Sequence, residues 1–227
     1  MQTFNAVHEA RIPAAIALRG TANLPQQTPA AVPGTRRTFD RGAEIFVEGE
    51  PCSVFYKVVS GTVRTGKLLA DGRRQIDGFH FPGDVFGLES GQAHRFTAEA
   101  VDQVVVIAFR RSNFCDLVLS DPVFGEQLMA SMMSSLDRAH DHMVLLGRKT
   151  ALEKMASFLL EIANRRASAD RAELSMQRTD IADHLGLTIE TVSRTLTQMV
   201  RDGLIRLANA GRTVVLADKA ALLLLCA

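Results

Sequence analysis

Apolar residues recur along this chain with different periods in different stretches, and each period predicts a different kind of element. Between about residues 36 and 110 the runs are short and rich in β-branched and aromatic side chains: EIFVE, VFYKVVS, RRQID, FHF, RFTAEAV and VVVIAF. Gly49-Glu50-Pro51, Gly61, Asp71-Gly72 and Pro82-Gly83 separate them, and short strands with such punctuation predict a sandwich or a rolled barrel. From Asp121 to about Leu146 the period becomes helical. Asp121-Pro122 is a start signal, because Asp can cap free amides and Pro suits the first turn. Met129, Met132, Leu136, Ala139, Met143 and Leu146 then follow at intervals of three, four, three, four and three, the spacing of a coiled-coil seam. Such a stripe packs either on the upstream strands or on a second copy of the chain. Residues 149 to 166 place Leu152, Met155, Ala156, Leu159 and Ile162 on one face and predict a scaffold helix, with Gly147 before it as a candidate hinge. RASADRAE, 166 to 173, reads as a polar loop.

Residues 178 to 207, RTDIADHLGLTIETVSRTLTQMVRDGLIRL, predict two short helices at a sharp turn. Ile181, Ala182 and Leu185 form the inner side of the first. Gly186 ends it, since a helix stop commonly needs a positive φ that glycine reaches without strain. Thr188 caps the second helix, whose inner stripe is Val192, Leu196 and Met199. Glu190, Thr191, Ser193, Arg194, Thr197 and Gln198 remain outside. That face suits a major groove: Arg bonds both acceptors of guanine, Glu accepts from the cytosine amino group, and Ser or Thr takes either role. Glu190 and Arg194, four apart, share a face, so the carboxylate can steady the guanidinium. Residues 204 to 216 read as two strands around Asn209-Ala210-Gly211-Arg212, a wing with Arg212 placed to meet a phosphate.

LGLTIETVSR resembles the recognition segment of the CRP/FNR superfamily of bacterial transcription regulators, and the upstream strands agree over about residues 36 to 220. The FNR branch carries E-x-x-S-R, present as Glu190, Ser193 and Arg194; the CRP branch has Arg before the Glu and Gly for the Ser, where this chain has Ile189 and Ser193. The resemblance implies an α+β fold: a tail over 1–35, a cyclic-nucleotide-binding-like β-roll over 36–120, a dimerisation helix over 121–147, and a winged helix-turn-helix over 148–227. It also implies a TTGAT-N4-ATCAA site in double-stranded DNA read by a homodimer. Arg178, Thr188, Thr191 and Arg212 are then the phosphate contacts, and RNA polymerase is a further partner. One departure is Gln177, where the family often has Ser or Thr as the first helix's cap, which implies a weaker cap.

Charge sharpens this picture only when the chain is divided. The net is +1, but residues 148–227 hold 12 Lys/Arg against 9 Asp/Glu, a net of +3, and residues 1–147 hold 14 against 16, a net of −2. The basic excess lies with the helix pair. No apolar run approaches the roughly 18 residues of a membrane span. Arg11 and Arg19 bracket too short an apolar stretch for a signal peptide, so a cytoplasmic protein is expected. Pro13, Pro25, Pro29 and Pro33 lie in the first segment, which reads as a mobile tail. LLLL, 222 to 225, is expected to pack a terminal helix onto the wing.

The candidate ligand chemistry of the roll is sparse. FPGDVFGLE resembles the start of the family's phosphate cassette, with Gly83 and Asp84 in its first places. Where cyclic-AMP receptors have an Arg-Ser pair, this chain has His94 and Arg95, so the hydroxyl is missing and the arginine displaced; a cyclic-nucleotide-responsive regulator stays open as the alternative. An iron-sulfur cluster usually takes four thiolates, and Cys52, Cys115 and Cys226 are three. His80 reads as a hydrogen-bonded core residue and not a haem ligand, and His140 and His142, two apart, read as solvent or seam residues. No cofactor or metal is expected, and no catalytic constellation can be assembled. Without the cysteine motif the chain resembles the FixK type of regulator, which implies control by protein amount and microaerobic or nitrogen-fixation targets. Cys226, near the chain end, is the expected exposed thiol and candidate redox residue.

Overall fold

The computed structural model describes residues 34–168 and 170–226, so nearly all of the expected tail lies outside the described residues. The first half forms eight strands, β1 (Thr35–Phe39), β2 (Glu44–Phe46), β3 (Val54–Ser60), β4 (Val63–Leu68), β5 (Arg74–His80), β6 (Val85–Phe86), β7 (Thr97–Ala100) and β8 (Val104–Arg110). They make two antiparallel sheets, ordered β1-β8-β3-β6 and β2-β7-β4-β5. Period-two burial explains β8, where Val104, Val106 and Ala108 point inward and Val105 and Ile107 do not. The rolled sheets enclose Phe46, Tyr56 and Phe86, whose rings stack with centroids 5.3 to 6.1 Å apart.

RRQID and FHF, read as separate runs, are one strand. Thr65 pairs with Gly78 and Gly66 with Ile76, which leaves Asp77 as the extra residue of a bulge, and β5 continues through it. β1 and β4 escaped the pattern because TRRTF and VRTGKL are polar-rich; β1 is an edge strand, exposed at four of its five residues.

After β8 the chain turns into α1 (Phe114–Ser120) and α2 (Pro122–Arg148). Asp121 caps α2 by accepting from the Phe124 amide at 3.0 Å, with Pro122 in the first turn, as the sequence predicts. Phe124 and Leu128 anchor α2 to Phe55 and Phe109 of the roll. At 1.5 Å per residue α2 is about 40 Å long. Then come α3 (Ala151–Arg165), β9 (Arg171–Glu173), α4 (Arg178–Leu185), α5 (Ile189–Arg201), β10 (Ile205–Ala208), β11 (Thr213–Leu216) and α6 (Lys219–Cys226). β9 lies inside RASADRAE, read as a loop. It joins β11 through backbone pairing and buries only Ala172, so composition does not betray it.

Thr150 and Glu153 close a capping box at the start of α3. Met155, Leu159 and Ile162 of its stripe are fully buried, and truncating such a residue costs about 2–5 kcal/mol. α6 packs on α3 instead of on the wing: Leu222 is buried, and Cys226 accepts a hydrogen bond from Ser157. Ile76, Phe79 and Phe81 of the roll belong to the same apolar cluster as α3, α4 and α5, so sensor and helix pair share a core.

Candidate nucleic-acid interface

α4 and α5 meet at the turn the sequence marks. Gly186 has φ +61°, and a Cβ there would stand 3.3 Å from Leu146 Cδ2, so conformation and space both call for glycine. Thr188 caps α5 by accepting from the Thr191 amide at 3.2 Å. Val192, Leu196 and Met199 are buried, which turns the opposite face outward. Glu190 and Arg194 are exposed on it, and Ser193 is half-buried between them. Ser193, Arg194, Thr197, Gln198 and Arg201 line a shallow depression there; Arg201 is the member the motif did not single out.

The other nominated residues surround this face. Arg178 is exposed at the start of α4 and donates to Ser193 Oγ at 3.2 Å, so a nominated phosphate contact is bonded to a nominated base reader. Thr188 and Thr191 share a hydrogen bond between hydroxyls, 3.0 Å apart. The wing turn uses positive φ at Asn209, Ala210 and Gly211, and Arg212 is exposed beside it. Glu190 and Arg194 form no ion pair among the described residues, so the expected steadying contact is not made. Both long side chains gain more from water than from each other on an exposed surface.

The helix pair is tied to the roll by charges that sequence reasoning missed. Asp180, buried in the first turn of α4, accepts from Arg64 at 2.9 Å and Arg74 at 2.6 Å, while Asp183 accepts from Arg74 at 2.8 Å. Asp180 also accepts from the Gln177 amide at 3.1 Å, so the helix start is satisfied by a carboxylate from within despite the unusual cap residue. Arg165 of α3 pairs with Asp84 and donates to the Phe79 carbonyl. Thr62 and Ser175 hydroxyls lie 2.8 Å apart, both within reach of Arg166. No local motif announces partners that lie 81 to 116 residues apart, as those joining the roll to α3 and α4 do.

Along α2, Met129, Met132, Leu136 and Met143 are 58, 44, 57 and 67% exposed, and Ala139 is exposed too. Leu146 departs from the stripe. It turns inward against the Gly186 turn and the shared core, because α2 reaches α4 there. His142 is likewise neither solvent nor seam: it stacks on His184 at 4.1 Å and donates to the His184 carbonyl at 2.8 Å. Buried His184 donates through Nδ1 to the Ile76 carbonyl, and desolvation pushes its pKa down to about 3. Cys115 is the exposed thiol; Cys226 is only partly exposed and Cys52 is buried.

The position of the phosphate-binding pair is filled. His94 is buried, stacks on Phe46 at 3.6 Å and donates to Glu89, which also accepts from the Arg95 amide. Asp84 is occupied by Arg165 and the Phe81 amide. Among the described residues no group of His, Cys, Asp and Glu could hold a metal, and no helix is long and apolar enough to cross a membrane.

A cyclic-nucleotide-binding-like roll joined by one long helix to a winged helix-turn-helix defines a class of DNA-binding regulator. Residues 36–121 match the cyclic nucleotide-binding domain and residues 153–225 the Crp-like helix-turn-helix domain. The chain is 46% identical to the nitrogen fixation regulation protein FixK of Azorhizobium caulinodans, over 87% of this chain and 81% of that one, and 39% identical to its Rhizobium meliloti counterpart, over 87% and 91%. The solved structure of FixK2 from Bradyrhizobium japonicum superposes with a TM-score of 0.78 at 46% identity, covering 86% of this chain and 98% of that one. The protein belongs to the CRP/FNR superfamily and, within it, to the FixK type of DNA-binding transcription regulator.

Proposed function

We propose that two copies of this chain join along α2 and read a TTGAT-N4-ATCAA palindrome with paired α5 helices, activating microaerobic or nitrogen-fixation genes through contact with RNA polymerase in the cytoplasm. One observation carries the reading: Glu190, Ser193 and Arg194 line the outer face of a capped helix whose other face is locked in the core. The exposed methionine and leucine stripe of α2 supplies the apolar surface that a two-fold partner would bury, as two-fold operators require. FixK relatives bear names of nitrogen fixation regulators, which supports the choice of target genes.

The deciding experiment compares binding to duplexes carrying the TTGAT palindrome and to scrambled duplexes of equal length, at fixed salt and with no added small molecule. Preference for the palindrome by at least about a thousandfold fits a specific reader. Equal affinities would remove the proposal. Cyclic-nucleotide control is disfavoured because His94 packs on Phe46 and bonds Glu89 where the phosphate-binding pair would stand. Titration calorimetry with cyclic AMP and cyclic GMP should give no heat of binding; micromolar affinity would reverse this choice.

A further inference from the structure

Arg178, the first residue of α4, lies between the wing and the reading helix. Its Nη2 stands 3.4 Å from where a Cβ on Gly211 would be, and its Nη1 donates to Ser193 Oγ at 3.2 Å. The side chain springs from a fixed point, because Asp180 satisfies the first turn of α4 and pairs with Arg64 and Arg74 of the roll. Wing, first helix and reading helix thus meet at one hydroxyl.

A serine hydroxyl has one proton to give and two lone pairs to receive, so by itself it bonds a base edge in either sense. A guanidinium has only donors, and the lone pair that it takes on Ser193 Oγ turns the serine's own proton away from it. Among the described residues that proton meets no acceptor. Other hydroxyls of this face are spent within the protein: Thr197 donates to the Ser193 carbonyl at 2.9 Å, and Thr188 and Thr191 bond each other at 3.0 Å. Ser193 is therefore set to donate, to guanine N7 or O6, adenine N7 or thymine O4. One lone pair remains, but the adjacent positive charge opposes a second incoming N–H such as the cytosine amino group. Contact with a duplex expels water from the pair, and a charge-assisted bond is roughly twice as strong as a neutral one.

We propose that Arg178 is a positioning residue for sequence reading: it sets Ser193 as a hydrogen-bond donor and so gives the reading row its discrimination at one base pair. The inference rests on the proposed reading of an operator by α5, and it gives Arg178 a task that a phosphate contact lacks. A phosphate contact raises affinity for every sequence alike, whereas a residue acting through Ser193 changes the ranking of the bases.

The test measures gel-shift affinities of the full chain, at fixed salt, for the TTGAT-N4-ATCAA duplex and for duplexes changed symmetrically at each half-site position to every other base pair. Wild type, Ser193→Ala, Arg178→Met and the double variant are compared as ratios of affinity, so that uniform losses cancel. Ser193→Ala identifies the pair that Ser193 reads, as the place where its ratios shift. Arg178→Met, which keeps the apolar stem, should lower discrimination at that same pair about fivefold, most of all against cytosine, and leave the ratios elsewhere unchanged. The double variant should match Ser193→Ala there, because the two residues act as one unit. Arg178→Met ratios equal to wild type at every position, or losses that add in the double variant, overturn the proposal and leave operator reading intact. Ser193→Ala ratios that shift nowhere overturn it as well. A wild type with no preference for the palindrome overturns both.

Discussion

Arg194 and Arg212 carry the same charge, yet the proposed function gives them different work. Arg194 stands exposed on the outer face of α5 and forms no ion pair among the described residues, as the proposed base contact requires. Arg194→Ala should lose about 1–3 kcal/mol of specific binding and relax selectivity at one guanine. Arg212, at the wing turn, should act on phosphate, so Arg212→Ala should weaken all sequences alike and lower the salt slope by about one unit. A gel-shift panel across sequences and salt concentrations separates the two; identical, uniform losses would contradict the division of roles. Arg178 connects the groups, since it holds the Ser193 hydroxyl. That Glu190, Ser193 and Arg194 share the outer face of α5 was legible in the sequence because cap, turn and motif all lie within one helical hairpin. Cys226, His142 and Leu146 were misread because Ser157, His184 and Gly186, which decide their exposure, come from other elements.

Among the elements, α4 depends on the roll as much as on its own sequence. Asp180 serves a helix start and two guanidiniums while almost wholly buried. Removing it leaves Arg64 with Glu99 at 3.0 Å and Arg74 with Asp183 at 2.8 Å, but takes away the one carboxylate that both share and the partner of the Gln177 amide, so the cost stays below the about 3–5 kcal/mol of a buried pair broken outright. Asp180→Ala should therefore lower the melting temperature by several degrees, whereas exposed Asp202→Ala should leave it nearly unchanged. α2 is the element that the proposed dimer needs. Leu136→Glu, on its exposed stripe, should convert dimer to monomer in sedimentation velocity at micromolar concentration without unfolding the chain; an unchanged sedimentation coefficient would exclude this face as the seam. The period of the exposed α2 stripe from Met129 to Met143 was visible in the sequence, as were β3 and the start of α2. β1 and β9 were not, since an edge or a short strand is held by backbone pairing that needs no apolar pattern.

The whole molecule shares one core across its halves, and two buried histidines make that arrangement sensitive to acid. Burial pushes His184 down to about 3 and His80 down to about 4, against an ordinary value of 6.5. The unfolded chain takes up these protons near pH 6.5, while the folded chain refuses them until far lower. Stability should thus fall as pH drops from about 6.5 towards 4 and level off below 3. His184→Gln should flatten that slope in melting experiments at pH 7, 6 and 5. A wild-type melting temperature that held constant or rose over this range would refute the linkage.

The Asp180 and Asp183 clamp has one more consequence. Because it fixes α4, and with it the packed α5, against the roll, and α2 would fix one roll against the other in the proposed dimer, a pair of such chains would work as a caliper with no swivel. One extra base pair between half-sites moves the far target by about 3.4 Å and turns it by roughly a tenth of a revolution. A protein with loosely tethered reading heads would absorb that offset. This one should reject a five-base spacer almost as firmly as a scrambled half-site, and loosening the clamp should soften the rejection before it weakens the grip on the correct operator.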